Sequence, residues 1–176
     1  SPSLSLAWRT VKIGLSSGIT EFSAGIVIFL FNHAILAYLN EEYIVSYTIV
    51  TYVSTIIVMS MAGIAQGIQP LVSYYYGRRL PKKYRLLLKY ALCFGAVFSI
   101  AAFMISRLIA SPLVSLFISP ELSELRRESV RVFYTFSYSF LLCGVNIIIG
   151  GFFTAIEYPK SAMAISLGRG FIFVAL

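Results

Sequence analysis

The sequence predicts an all-α integral membrane protein built as a multi-span helical bundle. Its mean hydropathy is +0.85, and 59% of its residues are hydrophobic while only 12% are charged. A soluble domain usually has about 25% charged residues. A spanning helix needs roughly 20 mostly apolar residues. The 176 residues therefore hold four to six spans, and the apolar runs favour about five.

The apolar runs give the position of each span. We expect spans at residues 13–38, 45–73, 86–108 and 130–156, and a fifth that starts at 162 and is cut off at 176. Between the third and fourth spans, Pro112 and Pro120 bracket an apolar piece, Leu113 to Ile118. That piece is too short to cross a bilayer, so we expect it to lie at the interface. Because the last apolar run reaches the end of the chain, we also expect a fragment of a longer protein.

The charges indicate a membrane topology rather than a nucleic-acid partner. The formal net charge is +7, but the cations cluster between apolar spans. With a cytoplasmic start, the inner segments hold nine Lys and Arg against four outside, as the positive-inside rule requires. The lipid bilayer is then the expected partner, in a cell membrane and most simply the inner membrane of a bacterium.

The sequence gives little support for a metal site or for an enzyme active site. It has no Asp, one His and two Cys that lie in separate apolar runs, too few ligands for a metal site. No nucleophile stands at a usable spacing from a His, and no phosphate-binding or hydrolase motif is present. We therefore expect a protein that is not an enzyme and binds no cofactor.

Three spans carry a stripe of polar or small residues at helical spacing. The first span has Gly14, Gly18, Glu21, Gly25, Ile28 and Asn32; the second has Thr48, Thr51, Thr55, Met59, Gln66, Gln69 and Ser73; the fourth has Ser139, Cys143, Asn146, Gly150 and Glu157. Small residues allow close helix contact and polar ones bond across helices. The alternative is a shared, partly hydrated cavity.

The carboxyl group of Glu21 favours the cavity, because helices that only pack need no ionisable group and an acid in lipid is costly. Glu21 is a candidate for exchanging a proton or binding a cation; the alternative is a protonated acid bonded to a neighbouring group. His33 lies off the stripe, and we expect a structural role. Arg169 either forms an ion pair or extends its charged end to the interface.

The stretch "GIAQGIQPLVSYYYGRR" resembles the segment G-x-x-x-G-x-Q-P-L-x-S-x-x-Y-G of the multidrug and toxic compound extrusion (MATE) transporters. The matching positions are Gly63, Gly67, Gln69, Pro70, Leu71, Ser73, Tyr76 and Gly77. "GLSSGITEFSAGIVIFLFN" resembles the seventh helix of the family. "NIIIGGFFTAIEYPKSAMAISLGRG" resembles the end of the tenth helix, the loop after it and the eleventh helix.

The resemblance implies that residues 1–176 are most of the second six-helix lobe of a twelve-helix transporter, with the N-terminal lobe outside this chain. The family exports cationic or amphipathic compounds in exchange for H+ or Na+ by alternating access. Its cavity would be lined here by Asn32, Thr55, Met59, Gln66, Gln69 and Asn146. Glu21 resembles the functional glutamate that some members carry, whereas Asn146 stands where they have a second acid.

Alternating access also requires a hinge, for which Gly63, Gly67 and Pro70 are the candidates. Two other functions stay open. A lipid-linked sugar flippase of the same superfamily would need more cations in the cavity to hold phosphate, and only Arg169 is available. In a membrane scaffold or receptor subunit, the stripes would pack without water and no substrate would be transported.

Overall fold

The computed structural model describes residues 4–38, 42–158, 161 and 164. It contains four helices: α1 (Leu4–Tyr38), α2 (Tyr43–Gly77), α3 (Pro81–Phe117) and α4 (Ser123–Ala155). All regular structure in the described part of the chain is helical, so the predicted fold class is confirmed. The predicted fifth span (162–176) and Arg169 lie outside the described residues.

Three of these helices are long and apolar enough to cross a membrane: α2, α3 and α4. In α1 the segment Gly25–Tyr38 is apolar over a shorter length. At about 1.5 Å per residue, the 37 residues of α3 measure about 55 Å, well beyond a hydrocarbon core of about 30 Å. The helix ends therefore carry the charged side chains out of the apolar layer.

The helices α2, α3 and α4 pack against one another and form one three-helix unit. Short turns join them, and Pro81 begins α3, where its missing N–H removes no helical hydrogen bond. α1 meets this unit through α2, where the ring of Phe31 stacks on Tyr47 with 5.5 Å between centroids.

The face that α3 buries consists almost wholly of small residues. Its members are Ala91, Gly95, Ser99, Ala102, Ser106, Ala110 and Val114. They follow one another at intervals of three or four, the spacing of one helical face. Small residues at such spacing let the backbones of membrane helices approach closely. α3 therefore presents a small-residue face to both α2 and α4, which also pack against each other.

Single glycines fix the closest approaches in the unit. A Cβ added to Gly144 of α4 would lie 2.6 Å from Oγ of Ser99 and 2.8 Å from Cε of Met61. A Cβ on Gly151 would lie 3.0 Å from Cβ of Ala65. A Cβ essentially never lies within 3.0 Å of another atom, so a larger residue at Gly144 would require Ser99, Met61 or the helices themselves to shift.

A buried hydroxyl pair joins α2 to α4 near the other end of the unit. The Oγ atoms of Ser46 and Ser129 are 2.6 Å apart. Ser129 donates its only hydroxyl proton to the carbonyl of Leu125 at 2.6 Å, so Ser46 is the donor in the pair. Both side chains are buried, and this arrangement satisfies both without water.

The helix α3 runs through Pro112 to Phe117, so the apolar piece after Pro112 continues this helix, and its position at the interface stays a prediction. A proline inside a helix removes one hydrogen bond, but packing on both sides of it holds the helix together here. Ala110, Val114 and Ile118 are buried in one cluster with Phe133. The segment from Leu113 onwards is the end of α3, followed directly by Ile118.

Candidate functional site

Part of the polar stripe predicted for α2 lies on the side of that helix that faces away from the three-helix unit. Thr55, Met59 and Gln66 are exposed. Met59 is 68% exposed, whereas Met61, two positions further, is 0% exposed between the three helices. Two residues turn a helix by about 200°. Thr55, Met59 and Gln66 therefore form one open face, opposite the core.

Along α2, hydroxyl groups bond to the backbone of the preceding turn. Thr48, Thr51 and Thr55 each donate to the carbonyl four residues earlier at 2.8 Å. A hydroxyl has one proton and two lone pairs. With its proton committed, each threonine presents only acceptor capacity to its surroundings. The open face of α2 is therefore better suited to a cation or a hydrogen-bond donor than to an anion.

Pro70 adds a backbone acceptor to the same region. Proline has no N–H, so it cannot donate to the carbonyl of Gln66, four residues earlier. α2 nevertheless continues through Pro70 to Gly77. A Cβ added at Gly63 or Gly67 would meet no atom within 4 Å. These two glycines therefore make no close helix contact within the described part of the chain.

Gln69 lies at the edge of this face, half-buried against α4. A Cβ on Gly151 would be 3.3 Å from Nε2 of Gln69, so the amide runs past the glycine backbone. One turn later, the hydroxyl of Ser73 donates to the carbonyl oxygen of Ala155 at 2.9 Å. The end of the Gln-Pro motif thus connects α2 to the last residue of α4.

The structure does not bring the polar faces of α2 and α4 together inside the three-helix unit. Asn146 is half-buried and stands two positions from both Gly144 and Ile148, which are buried on the packing face. It is therefore about 160° around α4 from each. Asn32 is half-buried on α1, next to the ring of Phe31 that contacts α2.

Two predicted charged residues cannot be placed in this site. The backbone of Glu21 belongs to α1, but its side chain lies outside the described residues, as does the whole of Arg169. His33 is exposed and its ring stacks on Phe29 at 6.3 Å between centroids.

An arginine held by aromatic rings was not predicted from the sequence, because two of its three partners are remote in the chain. The guanidinium of Arg107 on α3 lies 4.7 Å from the ring of Tyr134 and 5.2 Å from the rings of Phe103 and Tyr138. Its Nη1 is buried and has no hydrogen-bond partner among the described residues. The ring faces attract the cation and fix α3 against α4.

Arg126 has a second structural role that a count of charges does not show. Its Nε donates to the carbonyl of Ile118 at 2.8 Å and its Nη2 to the carbonyl of Ser115 at 3.0 Å. These carbonyls stand at the end of α3, where acceptors lack helical partners. A cation there is also favoured by the helix dipole. From the start of α4, Arg126 thus caps the C-terminal end of α3.

Near the basic loop, α2 and α4 each end in a turn of the same kind, and a charged residue has a positive φ in each turn. Leu80 donates its N–H to Tyr75 and Arg79 to Tyr76, which is the Schellman pattern. Arg79 has φ 55° and Glu157, after α4, has φ 60°. Glycine usually fills this position because a side chain costs about 1–2 kcal/mol there.

The family of the chain follows from its match to a family model. The MatE family model matches residues 22–175, which is most of the chain. This protein belongs to the MatE family. The resemblance of the Gln-Pro stretch is thereby confirmed. Comparisons with curated proteins and with solved structures give no match. MatE proteins are membrane transporters, and the three long apolar helices agree with a multi-pass protein embedded in a membrane.

Proposed function

We propose that this chain is the second lobe of a secondary-active exporter of cationic or amphipathic small molecules. The exporter exchanges its substrate for H+ or Na+ and works by alternating access against an N-terminal lobe. It acts in a cell membrane, the inner membrane of a bacterium. The MatE match supports transport as such, and the open face of α2 supports the choice of cargo.

The single observation that carries the proposal is that Gln66 is exposed within a membrane-spanning helix while the opposite face is packed. A polar amide that faces hydrocarbon without a partner costs several kcal/mol. Such a face needs water or another part of the protein against it. A hydrated cavity between two lobes supplies both.

The chemistry of the open face suits a cation with an apolar body. Thr55 offers acceptor lone pairs, and Pro70 leaves the carbonyl of Gln66 without its usual helical donor. Met59 adds a flexible, polarisable surface that adapts to different apolar shapes. The oxygen atoms bind the cationic group of the substrate, and the sulfur of Met59 contacts its apolar body. None of them carries a positive charge that would repel the substrate.

In this proposal Glu21 exchanges the proton or binds the coupling cation, and Arg169, in the predicted fifth span, forms an ion pair. Gly63, Gly67 and Pro70 are the hinge. The open space around both glycines leaves them room to change backbone angles without a clash. Asn32, Gln69 and Asn146 complete the polar lining of the cavity when the rest of the transporter is in place.

The test is transport by the full-length protein in liposomes with an imposed pH or Na+ gradient and a fluorescent cationic dye. We expect dye movement driven by the gradient and a strong loss in Glu21→Gln. Glu124→Gln is the control, because this exposed acid pairs with Arg127 at 2.9 Å outside the apolar layer. Its rate should equal that of the unmodified protein.

The same liposomes separate the alternatives. No dye movement, or movement without a gradient, in a correctly folded preparation rejects the exporter. Transfer of a lipid-linked sugar phosphate between leaflets under those conditions would favour a flippase. If neither cargo moves and no ligand alters the melting temperature, a scaffold or receptor subunit is the better account.

A further inference from the structure

The turn between α2 and α3 carries a positive charge that the surrounding sequence does not balance. Between residues 78 and 89 stand six exposed cations: Arg78, Arg79, Lys82, Lys83, Arg85 and Lys89. The sequence contains no acid between Glu42 and Glu121, and the described carboxylate at this end of the bundle is Glu157, after α4. At the opposite end, by contrast, Arg127 pairs with Glu124.

A cavity of about 490 Å³ opens at this turn, lined by Tyr76, Gly77, Arg79, Pro81 and Tyr84. Its aromatic wall is fixed, because the rings of Tyr76 and Tyr84 pack edge to face at 5.8 Å. Tyr84 in turn rests on Phe152 of α4 at 6.1 Å. The cavity therefore has a rigid wall with two phenol groups and one guanidinium.

Neighbouring cations are held in place, while Arg79 is not. Nη1 of Arg78 donates to the phenol oxygen of Tyr74 at 2.8 Å, and Nζ of Lys83 lies 5.2 Å above the ring of Tyr75. The guanidinium of Arg79 makes no hydrogen bond or ion pair with any residue that the structure describes. Its donors remain available for an anion in the cavity.

The backbone at Arg79 makes its identity informative. With φ 55°, this position favours glycine or asparagine, whereas this chain has an arginine there. Strain of this kind is enriched at functional positions, although Glu157 has a similar φ of 60° in the turn after α4. The backbone at Arg79 therefore supports a role for its side chain together with the cavity that it lines.

We propose that Arg79 and its cavity bind the phosphate of an anionic phospholipid head group in the cytoplasmic leaflet. The positive-inside rule puts this end of the bundle at that leaflet. The guanidinium pairs with the phosphate, the phenols of Tyr76 and Tyr84 donate to head-group oxygens, and the other cations add attraction to the anionic surface.

A lipid is favoured over free phosphate because an apolar side chain adjoins the site. Leu80 stands between the lining residues Arg79 and Pro81 and is exposed, so it can contact an acyl chain. Free phosphate would gain nothing from it. The site is distinct from the open face of α2, so it functions whatever the transported substrate is.

The test measures lipid binding by the full-length protein in detergent, by native mass spectrometry with phosphatidylglycerol and phosphatidylcholine at equal concentration. We expect a clear preference for phosphatidylglycerol. Arg79→Asn should weaken its binding about tenfold or more, the effect of losing a charge-assisted hydrogen bond. Lys89→Gln removes one charge from the same end, outside the residues that line the cavity, and should cost at most about fivefold.

Stability separates a lost site from a lost fold. Asparagine tolerates this backbone region, so Arg79→Asn should melt at or above the temperature of the unmodified protein. Arg79→Gln keeps the strained backbone and the long stem but removes the charge, and it should lose the same binding. This second variant decides the question if Arg79→Asn does not fold.

Three results would overturn the proposal. Equal losses in Arg79→Gln and Lys89→Gln would mean a diffuse charge effect without a site. Equal binding of the two lipids would exclude head-group recognition. Displacement of phosphatidylglycerol by inorganic phosphate at the same concentration would show that the cavity takes free phosphate rather than lipid.

Discussion

The hydroxyl of Ser73 donates a hydrogen bond to the carbonyl oxygen of Ala155 at 2.9 Å. The bond joins α2 to α4 across 82 residues of sequence, and its acceptor is a carbonyl at the end of a helix, where acceptors lack a helical partner. The most recognisable stretch of the sequence therefore fixes two helix ends together.

Removing this bond should loosen the inner end of the bundle. We expect Ser73→Ala to lower the free energy of unfolding by about 1 kcal/mol, the usual net value of one hydrogen bond. Ser60→Ala is the control, because Ser60 bonds only to the carbonyl of Ile56 in its own helix. Thermal unfolding in detergent measures both. An unchanged melting temperature in Ser73→Ala would contradict a role for the bond.

Two glycines on α4 should respond in opposite ways to an added methyl group. Gly144→Ala should destabilise the protein by about 1–3 kcal/mol through overpacking, because its Cβ would meet Ser99 and Met61. Gly150→Ala should be neutral or slightly stabilising, since a Cβ there meets no atom within 4 Å and alanine favours helix. Denaturation of the two variants side by side is the measurement.

Ser99 allows a sharper version of this comparison. Its Oγ is buried without a hydrogen-bond partner among the described residues and is the atom nearest to a Cβ on Gly144. Ser99→Ala alone should therefore be neutral or stabilising. Combined with Gly144→Ala, it should recover part of the lost stability. A double variant whose change in stability equals the sum of the two single changes would reject the close contact.

The cation of Arg107 should be coupled to the ring of Tyr134, 4.7 Å away. A double-mutant cycle of Arg107→Met and Tyr134→Leu should give a coupling free energy of about 0.5–2 kcal/mol. The matched control pairs Tyr134→Leu with Arg131→Met, because Arg131 is exposed and has no such ring contact among the described residues. Coupling of equal size in both cycles would mean that the aromatic cage is not specific.

Gln66 should matter for substrate and not for folding. Gln66→Ala removes an exposed amide from a face that the described bundle does not cover, so the melting temperature should stay within about 1 °C, as surface changes usually do. Substrate affinity in the liposome assay should fall by about five- to tenfold, the value of one polar contact. Leu142→Ala, an exposed change on α4, should alter neither quantity.

The sequence carried the fold class, because hydropathy is a local property. The period of the helix places Thr55, Met59 and Gln66 on one stripe, but it left open whether that stripe packs against other helices or lines a cavity. The extent of the helices was harder to predict. α3 crosses Pro112 because Val114 and Ile118 are buried against residues from other helices, and such packing is absent from any local pattern.

The partners of individual residues could not be predicted for the same reason. Gly150 and Gly151 are adjacent, yet only Gly151 faces Ala65, and a difference of 100° in helix rotation decides between them. The rings around Arg107 come from α3 and from a helix 27 and 31 positions further along. A charge count treats Arg107 and Arg126 alike, although one is held by rings and the other by carbonyls.

The small-residue face of α3 determines which kind of substitution destabilises this bundle. Alanine and glycine have no side-chain rotamers to lose on burial, so packing this face costs almost no side-chain entropy. On α3 itself, little of the packing then depends on large side chains finding one conformation among many, whereas the large buried side chains Met61 and Phe133 belong to α2 and α4. The association of α2, α3 and α4 depends on how near their backbones come, and one added methyl group is enough to change it.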